Sequence, residues 1–205
     1  MLAASPAPGG PVTRSGVAVR EAGPEDVPAL MAMWDELREM AGRLDRVVPV
    51  PSEDSVRQRL HRLMDNPNTR ALVAVLDGEV AGMAVLTATA YAPLFEQRAV
   101  HADYLHVRDG FRRRGVGKAL LAAAVSFAEE AGVEHVMTSV LPQMRETQRF
   151  YARLGFSPVV VRRSVSVPVL RRRLGGPAAP SLADHLVAKR KTLRRVRAAV
   201  ARTAD

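Results

Sequence analysis

Apolar and polar positions along the chain change period several times, and each change marks an element. Val17-Ala18-Val19-Arg20 predicts a short strand. Gly23-Pro24-Glu25-Asp26 then reads as a helix start, with proline at the first position and acids in the first turn. Val27, Leu30, Met31, Trp34, Leu37 and Ala41 keep helical spacing behind it. A second helix is predicted from Ser52, carrying Val56, Leu60, Leu63 and Met64, and Asn66-Pro67-Asn68 ends it. Strands follow over 71–76 and 80–90, joined by Asp77-Gly78-Glu79, where Asp-Gly signals a tight hairpin. Residues 91–101 read as a loop and 102–107 as a third strong strand. The clearest helix runs from Val116 to Ala131, with Val116, Leu120, Ala124 and Phe127 on one stripe and Gly132 as its stop. After it come a strand over 136–141, a short helix over 144–154 closed by Gly155, and a last hairpin from 156–161 and 165–170.

The order β-α-α-β-β-β-α-β-α-β-β predicts an α/β domain with a mixed sheet. One parallel crossover runs from 102–107 through the long helix to 136–141. The domain is expected over 17–170. Residues 1–16, MLAASPAPGGPVTRSG, hold no apolar run of signal-peptide length and read as a disordered lead. No stretch approaches the roughly 20 apolar residues of a membrane span. With no cysteine in the chain, a disulfide scaffold, a Cys-ligated metal and a thiol nucleophile are excluded. The expectation is a cytoplasmic protein with no membrane partner.

Charge changes the picture only when it is divided. The chain is formally +9, but residues 1–170 carry 20 Lys and Arg against 19 Asp and Glu, whereas residues 171–205 carry 10 against 2. Basicity is therefore a property of the C-terminal extension over 171–205, in which Ser181 starts a helix expected over 181–200. That extension has no Phe, Tyr or Trp, so base stacking is unsupported. Docking onto a partner or a second subunit, as in a homodimer, or a solvated end is preferred to nucleic-acid binding, which stays open only through 171–205.

Candidate chemistry concentrates in Val107-Arg108-Asp109-Gly110-Phe111-Arg112-Arg113-Arg114-Gly115-Val116-Gly117-Lys118. A strand enters an arginine-rich turn that opens a long helix, whose first N–H groups point outward at the positive end of the dipole. Gly115 and Gly117 are expected to let a ligand approach those groups, and Arg112, Arg113 and Arg114 to add fixed charge, which describes a phosphate cradle; an exposed basic turn before a glycine-loosened helix start is the competing account. Val116 stands where a P-loop needs Lys-Ser/Thr, and the third glycine of a dinucleotide fingerprint is missing.

Arg112-x-x-Gly115-x-Gly117 after a strand resembles the Arg/Gln-x-x-Gly-x-Gly/Ala signature of the GNAT superfamily of acetyl-CoA-dependent N-acetyltransferases. Arg149-Phe150-Tyr151-Ala152-Arg153-Leu154-Gly155-Phe156 resembles that family's Phe-Tyr-x-x-x-Gly-Phe segment. The resemblance covers roughly residues 17–170, the element order included. It implies that the central sheet is mostly antiparallel, with helices on both faces and a cleft where strands 102–107 and 136–141 splay apart. There, backbone groups of Leu105, His106 and Val107 would meet the pantetheine arm of acetyl-CoA, and backbone N–H groups from Arg112 through Val116 to Lys118 would meet its pyrophosphate. It places Tyr151 as the general acid toward the thioester sulfur, with Phe150 as core. Family members often carry an asparagine seven residues before the tyrosine; here that residue is Met144.

Asp103 stands where several family members place a base for the attacking amine, and a carboxylate in an apolar strand asks for a reason; a solvated strand end is the competing account. His101 and His106 are weaker candidates. A metal site from His101, Asp103 and His106 is rejected because strand alternation puts position 106 opposite 101 and 103, a face assignment that a bulge would upset. No metal is expected. The acceptor, a small-molecule or peptide amine, would be shaped by residues 41–52, 91–101 and 161–166, with Tyr91, Leu94, Phe95 and Glu96 as lining candidates. The function expected is acetyl transfer from acetyl-CoA to a primary amine by direct attack in a ternary complex. The alternatives are an acyl-CoA-binding module with little turnover, or a protein whose basic extension binds nucleic acid.

Overall fold

The computed structural model of the chain describes residues 12–14, 16–41, 51–90, 97–141, 143–161 and 163–174. Two compact units divide it, Met1–Tyr151 and Ala152–Asp205. The first unit holds a six-stranded sheet in chain order: β1 (Val12–Arg14), β2 (Val17–Glu21), β3 (Thr69–Leu76), β4 (Glu79–Ala90), β5 (Arg98–Val107) and β6 (Val136–Thr138). All neighbouring pairs are antiparallel except β5 and β6, which are parallel. The helices of this unit are α1 (Val27–Ala41), α2 (Glu53–Met64) and α3 (Val116–Glu130); α4 (Arg145–Ala152) runs to the unit boundary.

Local chemistry sets these elements. Asp77 and Gly78 both adopt positive φ, 55° and 82°, the two-residue turn that matches strand twist and lets β3 pair directly with β4. The Ser52 side chain accepts the Ser55 N–H at 3.2 Å and caps α2. Ahead of α1, Arg20 grips the Asp26 carboxylate with Nη1 and Nη2, at 2.6 and 2.8 Å, while the Gly23 N–H donates to it at 2.8 Å. Burial pushes the Asp26 carboxyl upward, but Arg20 and the Gly23 N–H outweigh it and leave the group below the ordinary carboxylate range.

The apolar stripe of α3 covers one sheet face, burying Val116, Leu120, Ala124 and Phe127 with Ala84, Leu86, Val100 and Ala102. The opposite face buries Val27 and Leu60 with Ala22, Ala71 and Val73. The mixed sheet with helices on both faces is thus the predicted one.

Four segments differ from expectation. Val12–Arg14, inside the expected disordered lead, forms β1 paired with β2. β5 begins at Arg98, inside the expected loop, because Ala99 and Val100 are buried and Arg98–His101 pair with Thr87–Ala90. β6 stops at Thr138 rather than residue 141. The last hairpin does not form: residues 156–161 are in no strand, and Val167–Arg173 is a helix, α5, in the second unit. Pro168 explains the latter, since it lacks the N–H a strand ladder needs and is pre-shaped for a helix's first turn. The helix expected over 181–200 lies outside the described residues.

Candidate active site

The site starts from an irregularity in β5. Pairing with β4 runs Thr87–His101, Leu86–Ala102 and Val85–Asp103, then resumes at Met83–His106, so Tyr104 and Leu105 together face one β4 residue. Tyr104 takes a left-handed φ of 54° to do this, the geometry of a β-bulge. Because Thr87, Val85 and Met83 share a face of β4, so do their partners His101, Asp103 and His106. The expected opposition of His106 to the other two is therefore wrong. Among the described residues no three His, Asp or Glu side chains are grouped so as to hold a metal ion.

On its other edge, β5 pairs with β6 only through Val100–Val136, His101–Met137 and Ala102–Thr138. From Asp103 to Val107 the strand continues without a β6 partner, so the parallel pair forks as expected. The fork leaves the β5 edge over Leu105, His106 and Val107 without a strand partner, which suits an amide-bearing chain, and the Val107 carbonyl there accepts from Arg112 Nε at 3.5 Å.

Beyond Val107 the chain passes a short 3₁₀ turn, Asp109–Phe111, and enters α3 through Gly115, whose φ is 88°. Ala119 is the first amide to close on this helix, bonding the Gly115 carbonyl at 3.0 Å, so those of Val116, Gly117 and Lys118 have no earlier turn to bond. A Cβ on Gly115 would meet nothing within 4 Å, and the approach to these amides is open. Gly117 serves differently from expectation: its Cβ position lies 3.3 Å from Phe150 Cζ and 3.7 Å from Val107 Cγ2, so it faces packing. The arginines also separate. Arg112 pairs with Asp109 at 2.8 Å, and Arg114 pairs with Asp77 and lies over the Phe111 ring. Arg113, at φ 61°, forms no ion pair among the described residues.

Tyr151 is 4% exposed, with its ring edge-on to Phe150 at 5.3 Å. Its hydroxyl lies 3.2 Å from Thr138 Oγ1, which itself bonds the Ala102 carbonyl at 2.9 Å. The phenol thus sits at the last paired register before the fork. Burial raises the Tyr151 pKa above its ordinary value, Thr138 works against this, and the Asp103 charge adds to it. The structure accordingly brings Asp103 and Tyr151 into electrostatic contact.

His106, 3% exposed, turns its Nε2 to Glu36 Oε2 on α1 at 2.7 Å, and Arg108 Nε donates to Glu36 Oε1 at 3.3 Å. Burial opposes ionisation of Glu36, but His106 and Arg108 prevail and hold its pKa below the usual range. These three residues line a cleft of ≈ 620 Å³ with Glu39, Met40, Glu79 and the Asp109–Phe111 turn. Sequence reasoning missed Glu36, which nothing in a helical pattern distinguishes, and Thr138, whose signal was a hydroxyl in an otherwise apolar strand. Met144 caps the start of α4 through its carbonyl, which accepts the Gln148 N–H at 3.0 Å. The acceptor candidates Tyr91, Leu94, Phe95 and Glu96, and residues 42–50, lie outside the described residues. Among the described residues no helix is long and apolar enough to cross a membrane.

Comparisons with known proteins agree with this geometry. A streptothricin acetyltransferase of Streptomyces lavendulae is 30% identical over 147 residues, 71% of this chain and 66% of that protein. The chain therefore spans just under two thirds of that relative. A transcriptional regulator from Bacillus halodurans C-125 superposes with a TM-score of 0.61 at 24% identity, covering 73% of this chain and 99% of the other. An aminoglycoside acetyltransferase from an uncultured soil metagenomic sample does so with a TM-score of 0.57 at 19% identity, covering 74% and 97%. These two likenesses concern the fold. Residues 31–156 match the model of the acetyltransferase (GNAT) family, and with the forked parallel strands and the glycine-opened start of α3 in place, the chain belongs to that family.

Proposed function

We propose that the chain is an N-acetyltransferase that moves the acetyl group of acetyl-CoA onto a primary amine of a small molecule or peptide by direct attack, with both substrates bound together. The observation that carries this reading is the fork after Ala102 and Thr138, with the buried Tyr151 hydroxyl at its apex. Acetyl-CoA, which the family normally uses, would bring an activated thioester. Backbone groups of Leu105, His106 and Val107 would line its amide arm. The turn from Arg112 to Lys118 would receive the pyrophosphate on its amides, with Arg113 the guanidinium least committed to a carboxylate.

As the C–N bond forms and the C–S bond breaks, Asp103 takes the proton lost by the amine, directly or through water. Tyr151 gives its phenolic proton to the departing sulfur. A raised Tyr151 pKa suits that role, because the group stays protonated until the sulfur needs it. The thiol that forms has a pKa near ~8.5, below that of the phenol. Tyr151 therefore recovers its proton as the product leaves as a thiolate.

The test is thiol release from acetyl-CoA across streptothricin, an aminoglycoside, spermidine, lysine and an N-terminal peptide, with acetyl-CoA binding followed by calorimetry. Release with at least one amine is expected. Acetyl-CoA binding without release from any amine would overturn turnover in favour of an acyl-CoA-binding module. Met144 favours that second reading, since it offers no side-chain amide where family members often carry one.

A further inference from the structure

We infer that Thr138 is the positioning residue for proton donation by Tyr151, a role that rests on the acetyltransferase reading. Thr138 is the last β6 residue paired to β5, opposite Ala102. Its Oγ1 stands between two oxygens, the Ala102 carbonyl at 2.9 Å and the Tyr151 hydroxyl at 3.2 Å. A threonine hydroxyl has one proton and two lone pairs, so it serves these neighbours in two arrangements. When its proton lies on the Ala102 carbonyl, Oγ1 accepts the phenolic O–H and holds Tyr151 in a resting state. When the hydroxyl turns to donate to Tyr151, the phenolic proton is freed toward the fork, and the oxygen that loses it is already hydrogen-bonded.

The second arrangement matters for charge. Tyr151 is buried, and among the groups that face it are Thr138 from β6, the Asp103 carboxylate from β5 and the Phe150 ring beside it on α4. Burial and Asp103 both disfavour a phenolate, and the hydrogen bond from Thr138 favours one. The β-branch of threonine stiffens χ1 and keeps Oγ1 between its two partners. Proton accounting is complete without another reactant: the phenolic proton goes to the departing sulfur and returns from the thiol when the product leaves.

The test uses the full chain with Thr138→Val, Thr138→Ser and Tyr151→Phe. The first readout needs no acceptor: the alkaline absorbance change of tyrosinate, with the part lost in Tyr151→Phe assigned to Tyr151. Thr138→Val should move that titration to higher pH, and Thr138→Ser should leave it in place. In turnover with the best amine of the panel, Thr138→Val should lower kcat by about 10- to 100-fold, the worth of a hydrogen bond to a charged group. The acetyl-CoA KM should stay within about twofold, and serine should restore most of the rate. In a Tyr151→Phe background the same substitution should add nothing.

An unmoved titration, an unchanged kcat or an undiminished effect in the Tyr151→Phe background would each overturn the role. If Tyr151→Phe itself retains the full rate, it is the acid assignment that fails, a result distinguishable from failure of Thr138 alone. If no amine is accepted, the titration decides the positioning role by itself.

Discussion

His106 Nε2 meets the Glu36 carboxylate at 2.7 Å because β5 carries one residue too many. Without the bulge at Tyr104 and Leu105, alternation would send the imidazole to the α3 face. With it, His106 turns toward α1, beside Asp103, and Tyr104 packs its ring against Trp34 at 5.1 Å. A left-handed backbone at a tyrosine costs on the order of 1 kcal/mol, so the contacts that follow must offset it. Glu36→Ala should therefore lower stability by roughly 1–3 kcal/mol, because a buried imidazole loses its charged partner. His106→Ala should cost a similar amount. The double variant should cost clearly less than both together, read as Tm or denaturant midpoint in a double-mutant cycle. Simple additivity would show that the pair is not coupled.

Gly117 yields a prediction opposite to the one its place in the motif suggests. A side chain there points at Phe150 and Val107, the former adjacent to Tyr151. Gly117→Ala should be nearly neutral, since a helical alanine gains about 0.5–1 kcal/mol over glycine while Phe150 gives slightly. Gly117→Leu should cost about 1–3 kcal/mol by overpacking. Thermal denaturation checks both. Gly115→Leu, whose side chain would enter open space beside the free amides at a left-handed φ, should be the variant that weakens acetyl-CoA binding in calorimetry.

Asp26 links the edge of β2 to the start of α1, and its contribution to stability depends on pH. Its carboxyl pKa is lowered in the folded chain, so the unfolded state binds a proton more readily. The stabilisation is complete above the unfolded pKa of about 3.9 and is lost as pH falls through the folded value. Asp26→Asn should cost about 1–3 kcal/mol near neutral pH, the range for a hydrogen bond to a charged group. The cost should shrink in acid, where the wild-type carboxyl is itself protonated. Denaturant unfolding at several pH values would show the two proteins converging; a gap that is constant with pH would remove the ion pair from the account.

Much of this arrangement was legible because it rests on short-range chemistry. Asp77-Gly78 could only turn tightly, Pro24-Glu25-Asp26 could only open a helix, and the stripe from Val116 to Phe127 could only bury one face. The glycine-arginine turn was visible for the same reason, whereas the Phe150-Tyr151 pair stood out only through its resemblance to a family segment. What escaped depends on partners distant in sequence. Nothing in Tyr104-Leu105 announces a bulge, since a non-glycine positive φ has no local residue signature, and without the bulge His106 takes the wrong face. Glu36 gains meaning only through His106 and Arg108, some 70 residues away. The final hairpin was misread because the alternation from Val165 to Leu170 suits a strand, whereas Pro168 decides for a helix.

Asp103 and Tyr151 together predict two movements of one pH–rate profile. If Asp103 takes the amine proton, its ionisation sets the acidic limb of kcat/KM, and Asp103→Asn should lower the rate and displace or abolish that limb. The same charge helps to raise the Tyr151 pKa, so its removal should also bring the basic limb to lower pH, because a phenolate no longer faces a carboxylate. Tyr151→Phe should cut kcat by about 10²–10⁴-fold, the usual worth of a positioned acid, and remove the basic limb altogether. Phenylalanine retains the packing on Phe150, so the melting temperature should fall far less than the rate. A basic limb that stays in place in Asp103→Asn while the acidic limb moves would separate the two residues. Asp103 would then act on the amine without setting the charge environment of the acid.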